Sequence, residues 1–201
     1  MEEEIKELQN IRSIMERYSK FISLSGLSGI SVGVIASIAV AFAYFRPFFF
    51  EDIDGINWNN ASFRFLIIIA LSVFILSFLA AYYFTQRRTL QKAEKIWSGS
   101  SKRMLANLLI PIAVGGVFCM FLVEREPTLL PSASLLFYGL SLINASKYTI
   151  GDIRNLGFCE IFLGIFAGFL AGRGYDLLFL GLGFGLLHII YGTLVYKKYE
   201  A

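Results

Sequence analysis

Charged side chains are scarce in this chain. Asp and Glu number 15 and Lys and Arg 18, together 16% of 201 residues. A water-soluble domain carries about a quarter, so an extensive solvated surface is excluded. Histidine occurs once, at His188, and cysteine twice, at Cys119 and Cys159. One imidazole without several acidic partners cannot build a zinc site, so no metal is expected. A disulfide is excluded too. At the rise of an α-helix the two cysteines differ by roughly 14 Å in depth, and both are expected as buried small apolar residues. Walker, HExxH, CxxC and GxGxxG signatures are all missing, leaving neither a catalytic set nor a cofactor cradle. The net charge of +3 is spread over loops without a nucleic-acid-binding motif, so no nucleic-acid partner is expected.

Apolar residues are abundant: 56% of the chain, with a mean hydropathy of +0.64. They fall into six runs, residues 21–45, 63–84, 104–123, 129–145, 153–172 and 177–196. Each approaches the ~20 residues that cross a hydrocarbon core of about 30 Å. The fourth is the shortest and holds Pro131, Ser132, Ser134, Ser141 and Asn144. Only helices and closed barrels satisfy their backbone in lipid, and runs without period-two alternation exclude a barrel. The expected fold is therefore all-α, an integral membrane protein of six transmembrane helices.

Basic residues set the expected orientation. With a cytoplasmic N-terminus, the inner segments hold Lys6, Arg12, Arg17, Lys20, Arg87, Arg88, Lys92, Lys95, Lys102, Arg103, Lys147, Arg154, Lys197 and Lys198. The outer ones hold Arg46, Arg64, Arg125 and Arg173. Fourteen against four places both termini in the cytoplasm by the positive-inside rule. The acidic start (Glu2, Glu3, Glu4, Glu7) is not a cleavable signal, so the first span is expected to serve as the insertion signal.

The chain thus divides into residues 1–20, an amphipathic cytoplasmic or interfacial helix, and residues 21–201, the six-helix domain. In the first part Ile5, Leu8, Ile11, Ile14, Met15 and Tyr18 recur at helical spacing. The basic loop 85–103 is expected to prolong the second helix and to hold anionic lipid. With 2–20 it forms the surface that a soluble cytoplasmic partner would use. The outer loop contains Asp52-Ile53-Asp54-Gly55, a fragment of a calcium loop without its later ligands. Pro111 is expected to kink the third span.

The stretch Tyr18-Ser19-Lys20-Phe21-Ile22-Ser23-Leu24-Ser25-Gly26-Leu27-Ser28-Gly29 and the ending Leu187-His188-Ile189-Ile190-Tyr191-Gly192 resemble a group of small six-span bacterial inner-membrane proteins. The resemblance covers 18 of the 201 residues and implies a multi-pass home in the cell inner membrane. It implies no activity.

The chain's most informative part is its last hairpin, folded around Gly172-Arg173-Gly174. One arm carries Gly157, Glu160, Gly164, Gly168 and Gly172, the other Gly181, Gly185, His188 and Gly192. Facing each other in antiparallel neighbours, such stripes let the two arms approach closely in lipid, and Gly164, Gly168, Gly181 and Gly185 are the expected packing residues. Glu160 and His188 lie almost equally far from the turn and so at one depth, about 10 and 12 Å from the inner ends of their spans. Ser28, Asn107 and Asn144 fall near the same level, which predicts one polar layer. A carboxylate there costs a few kcal/mol unless protonated, paired or hydrated, and such residues mark ion and substrate pathways.

Three readings fit. The first is small-solute or proton-coupled transport through a cytoplasm-facing polar site between helices five and six. The second is a noncatalytic membrane sensor or partner subunit. The third is a homo-oligomeric pore-forming effector built on the glycine seams. A lipid-modifying enzyme lacks a nucleophile–base set.

Overall fold

The computed structural model describes residues 25–45, 61–92 and 97–201, together with Glu7, Ile11 and Met15, each of which is helical. The rest of the 2–20 helix, the outer loop with its Asp52–Gly55 fragment, and residues 93–96 lie outside the described part. So does the start of the stretch beginning at Tyr18.

The described chain is all-helical. α1 spans Gly26–Tyr44, α2 Ala61–Gln91, α3 Gly99–Arg125, α4 Leu130–Ala145 and α5 Asp152–Phe169. A final rod follows in three pieces: α6 (Asp176–Leu180), a π-helical stretch (Gly181–Leu187) and α7 (His188–Tyr199). Local chemistry sets the ends. Ser98 caps α3 by accepting the Ser101 N–H at 3.1 Å. Gly172 and Gly174 take the left-handed backbone (φ +73° and +80°) that turns the last hairpin. α2 does continue well beyond the apolar run, to Gln91, and α3 passes through Pro111 as one helix.

Five rods of the described chain are long and apolar enough to cross a membrane: Gly26–Tyr44, Arg64–Gln91, Gly99–Arg125, Pro127–Tyr148 and Asp176–Tyr199. α5 is set apart by Asp152, Arg154 and Glu160. The surface is apolar: Ile68, Leu71, Phe74, Ile75 and Leu79 of α2 and Val114, Phe118 and Phe121 of α3 all face outward. Hydrocarbon rather than water suits such a surface.

The helices form two triads. α1 is the middle of one, packed between α2 and the final rod; α4 is the middle of the other, between α3 and α5. The neighbours run antiparallel. Gly26 lies against Tyr196, Gly33 against Gly185 and Val40 against Gly181; Gly115 lies against Phe137 and Gly139 against Gly157. The chain enters the second triad after α2 and leaves it at the Gly172–Gly174 turn. α1, α2 and the final rod thus stand against α3, α4 and α5.

This grouping corrects one expectation. The two glycine stripes of the last hairpin do not face each other. On α5, Gly157 abuts Gly139, Gly164 abuts Leu136 and Gly168 abuts Ser132, all of α4. In the final rod, Gly185 abuts Ser37, Gly192 abuts Gly26 and Ile30, and Gly181 touches Val40, all at α1. Each stripe mates with a middle helix that offers small residues of its own, where backbones come closest. The arms of the hairpin meet only along a thin seam between the triads. A second correction concerns Cys159, which is exposed, while Cys119 is half-buried; both are free thiols.

Candidate functional site: a polar rung between two helix triads

Three faces line the seam, each with residues three or four apart. α4 contributes Leu135, Tyr138 and Leu142, α5 Leu156, Glu160 and Leu163, and the final rod Phe184, His188 and Tyr191. One apolar cluster, Leu135, Ala167 and Phe179 with Leu163, Leu170 and Phe184, fills the far half. Another, Leu142, Ile153 and Leu156 with Leu108, Tyr138, Leu187 and Tyr191, fills the half nearer the basic ends. Glu160 and His188 form a polar rung between them.

Glu160 has 0% exposure. Neither carboxyl oxygen has a hydrogen-bond partner among the described residues. Its nearest polar neighbour is His188, with Nδ1 3.5 Å from Oε1. The pair expected at one depth is therefore together. His188 has closer ties. Its Nδ1 lies 3.0 Å from the Gly183 carbonyl, which can only accept, so Nδ1 carries the proton. In the neutral ring Nε2 then accepts the Tyr138 hydroxyl at 2.7 Å. The Tyr138 ring also lies 5.4 Å from the imidazole and 5.2 Å from Phe184.

The π-helical stretch helps to shape this rung. Gly183, inside it, leaves the space the carboxyl occupies: a Cβ there would stand 2.6 Å from Glu160 Oε2 and would also meet Leu135. Extra residues per turn of this kind recur at functional sites.

The remaining expected site residues stand elsewhere. Asn144 Nδ2 donates to the Asn107 carbonyl at 3.4 Å, and Asn107 Nδ2 to the Arg103 carbonyl at 2.8 Å, a link between α3 and α4. Ser28 donates to the Ser25 carbonyl at the start of α1. The single expected layer is three separate clusters, because similar depth does not put residues on one face.

Two features escaped the sequence reading. Tyr138 is one, although its three-residue step from Leu135 was a usable signal. The other is a carboxylate clasp at the base of the first triad. Glu200 accepts from the Gly26 N–H, from Arg88 at 3.0 Å and from Ser25 Oγ at 3.2 Å, while Arg88 also donates to the Tyr199 carbonyl. Arg88, expected as a solvated lipid-facing charge, is 5% exposed. A separate bridge joins the triads: Lys198 lies 2.9 Å from Asp152 Oδ2, and the Tyr199 hydroxyl donates to the same oxygen at 3.0 Å. The Lys198 hydrogen bond holds the Asp152 carboxyl below the usual carboxylate range.

No family model, curated protein or solved structure matches the chain.

Proposed function

We propose that this protein is a six-span membrane carrier of a small solute, coupled to protons, with both termini in the cytoplasm and Glu160 as its proton-holding group. The fully buried carboxyl with two unpartnered oxygens, set in the seam between two helix triads, carries this reading. An unpaired carboxylate in an apolar seam is costly, so the resting form is the neutral acid. Ionisation would recruit the His188 N–H from the Gly183 carbonyl, a shift of half an ångström in reach. Rocking of one triad against the other about this rung would expose it to either side in turn, as in carriers built of paired helix groups.

The test is proton movement into vesicles that contain the purified protein and a pH-sensitive dye. Glu160→Gln abolishes it while the protein stays folded and monodisperse. Full movement by Glu160→Gln would end the reading.

Exposed Arg87, Lys92, Lys102, Lys147, Arg154 and Lys197 at one end favour a second reading, a membrane subunit that docks a soluble partner through its basic face. Recovery of a stoichiometric partner that is lost on deleting residues 2–18, with no proton movement by the intact protein, would decide for it.

A further inference from the structure

Tyr191 is the seam's other unsatisfied polar group. Its hydroxyl is buried and has no hydrogen-bond partner among the described residues. A phenol is seldom buried that way, since its O–H ordinarily finds an acceptor. Position gives the reason. Tyr191 packs with Tyr138 on one apolar cluster, the cluster between the Glu160 rung and the basic ends. That cluster includes Ile153, the neighbour in sequence of Asp152 at the mouth of the seam. Asp152 and Tyr199 are themselves hydrogen-bonded to each other, and Asp152 is partly open to solvent. His188 and Tyr138 stand next to the rung. From Glu160 outward, proton-bearing groups therefore follow one another down a seam otherwise lined by Leu and Ile.

We propose that the proton route between Glu160 and the basic end of the bundle runs through His188, Tyr138 and Tyr191 and opens beside Asp152 and Tyr199. The inference rests on the reading of Glu160 as a proton-holding group. Uptake balances as a chain of hops. Water at the mouth gives a proton to the Tyr191 oxygen as the Tyr191 proton passes to the Tyr138 oxygen across one bridging water. The Tyr138 proton moves to His188 Nε2, and the Nδ1 proton moves to the Glu160 carboxylate. Each hydroxyl ends with one proton, the imidazole ends neutral in the opposite tautomer, and Glu160 ends as the acid. Rotation of the hydroxyls and the ring restores the start.

The carbonyl stretch of a buried carboxylic acid reads this directly by infrared spectroscopy of the protein in lipid. Glu160→Gln removes the band, which assigns it. A band that survives that substitution would end the proton-site reading itself, apart from the route. After transfer to deuterated water, the band shifts as Glu160 exchanges. Tyr191→Phe, which deletes only an unpartnered hydroxyl, slows the shift at least about tenfold, on the scale of losing a positioned proton donor. Tyr191→His restores the rate, and Tyr196→Phe, on the rod's exposed side, leaves it unchanged. Exchange at the wild-type rate in Tyr191→Phe overturns the route, and so does equal slowing by Tyr196→Phe. Should Tyr191→Phe fail to fold, Tyr138→Phe, which removes the next hydroxyl of the route, decides: slowed exchange supports the route and an unchanged rate overturns it.

Discussion

His188 can offer Glu160 only a proton that it already lends to Gly183, and this competition makes Glu160 the informative residue. A structural ion pair would hold its carboxylate with two or three donors; here both oxygens are bare. Glu160→Gln keeps the volume and removes the charge, so its folding stability is expected within about 1 kcal/mol of the parent, on the scale of interhelical polar contacts in membranes. Reversible unfolding in mixed micelles measures that. Tyr138→Phe is the opposite case. It strands His188 Nε2 in a buried site and is expected to cost about 1–2 kcal/mol in the same assay, the range for an orphaned acceptor. The Glu160–His188 meeting was legible because a tight Gly-Arg-Gly turn fixes the register of two helices. Asn107, Asn144 and Ser28 misled because depth was known and azimuth was not. Tyr138 was hidden inside a run whose aromatic residues all read as core.

At the scale of elements, the glycines show what each helix needs from its neighbour. At Gly192 a Cβ would stand 2.7 Å from the Gly26 carbonyl and 2.9 Å from the Gly29 carbonyl carbon. Backbone cannot step aside as a side chain does, so α1 and α7 must separate. Gly192→Ala is expected to cost about 1–3 kcal/mol as overpacking. Gly116, in the outward part of α3, has nothing within 4 Å of its Cβ position. Gly116→Ala is expected to be neutral or to gain up to about 1 kcal/mol from helix propensity. A thermal-shift comparison of the two in one detergent separates close approach from mere small-residue content. The helices themselves were legible from run length, and the stripes from their spacing. Which partner each stripe would meet was not, since Gly139 on α4 and Gly26, Gly29 and Gly33 on α1 lie far away in sequence.

For the molecule as a whole, the pairing of α1, α2 and the final rod against α3, α4 and α5 leaves a thin seam with a closure at the basic end. Lys198 and Tyr199 belong to the first triad and Asp152 to the second, so their contact is a latch across the seam. The direction of its pH dependence follows from Asp152, whose carboxyl is held below its ordinary value by the Lys198 hydrogen bond. A depressed carboxyl stabilises the closed form above its unfolded value, near 4, and loses that contribution as pH falls through the folded one. The latch therefore stays shut through neutral pH and opens only in acid. Spin labels on Leu90→Cys of α2 and Lys102→Cys of α3, with Cys119 and Cys159 replaced by serine, report the distance between triads at this end. At pH 7, Asp152→Asn is expected to broaden the distance distribution toward longer values, with the parent reaching the same state only below about pH 4. A distribution unmoved by Asp152→Asn would mean that the apolar cluster of Leu142, Ile153 and Leu156 closes the seam without the latch. A broadening of the parent that begins near neutrality would locate the pH response in the buried rung instead.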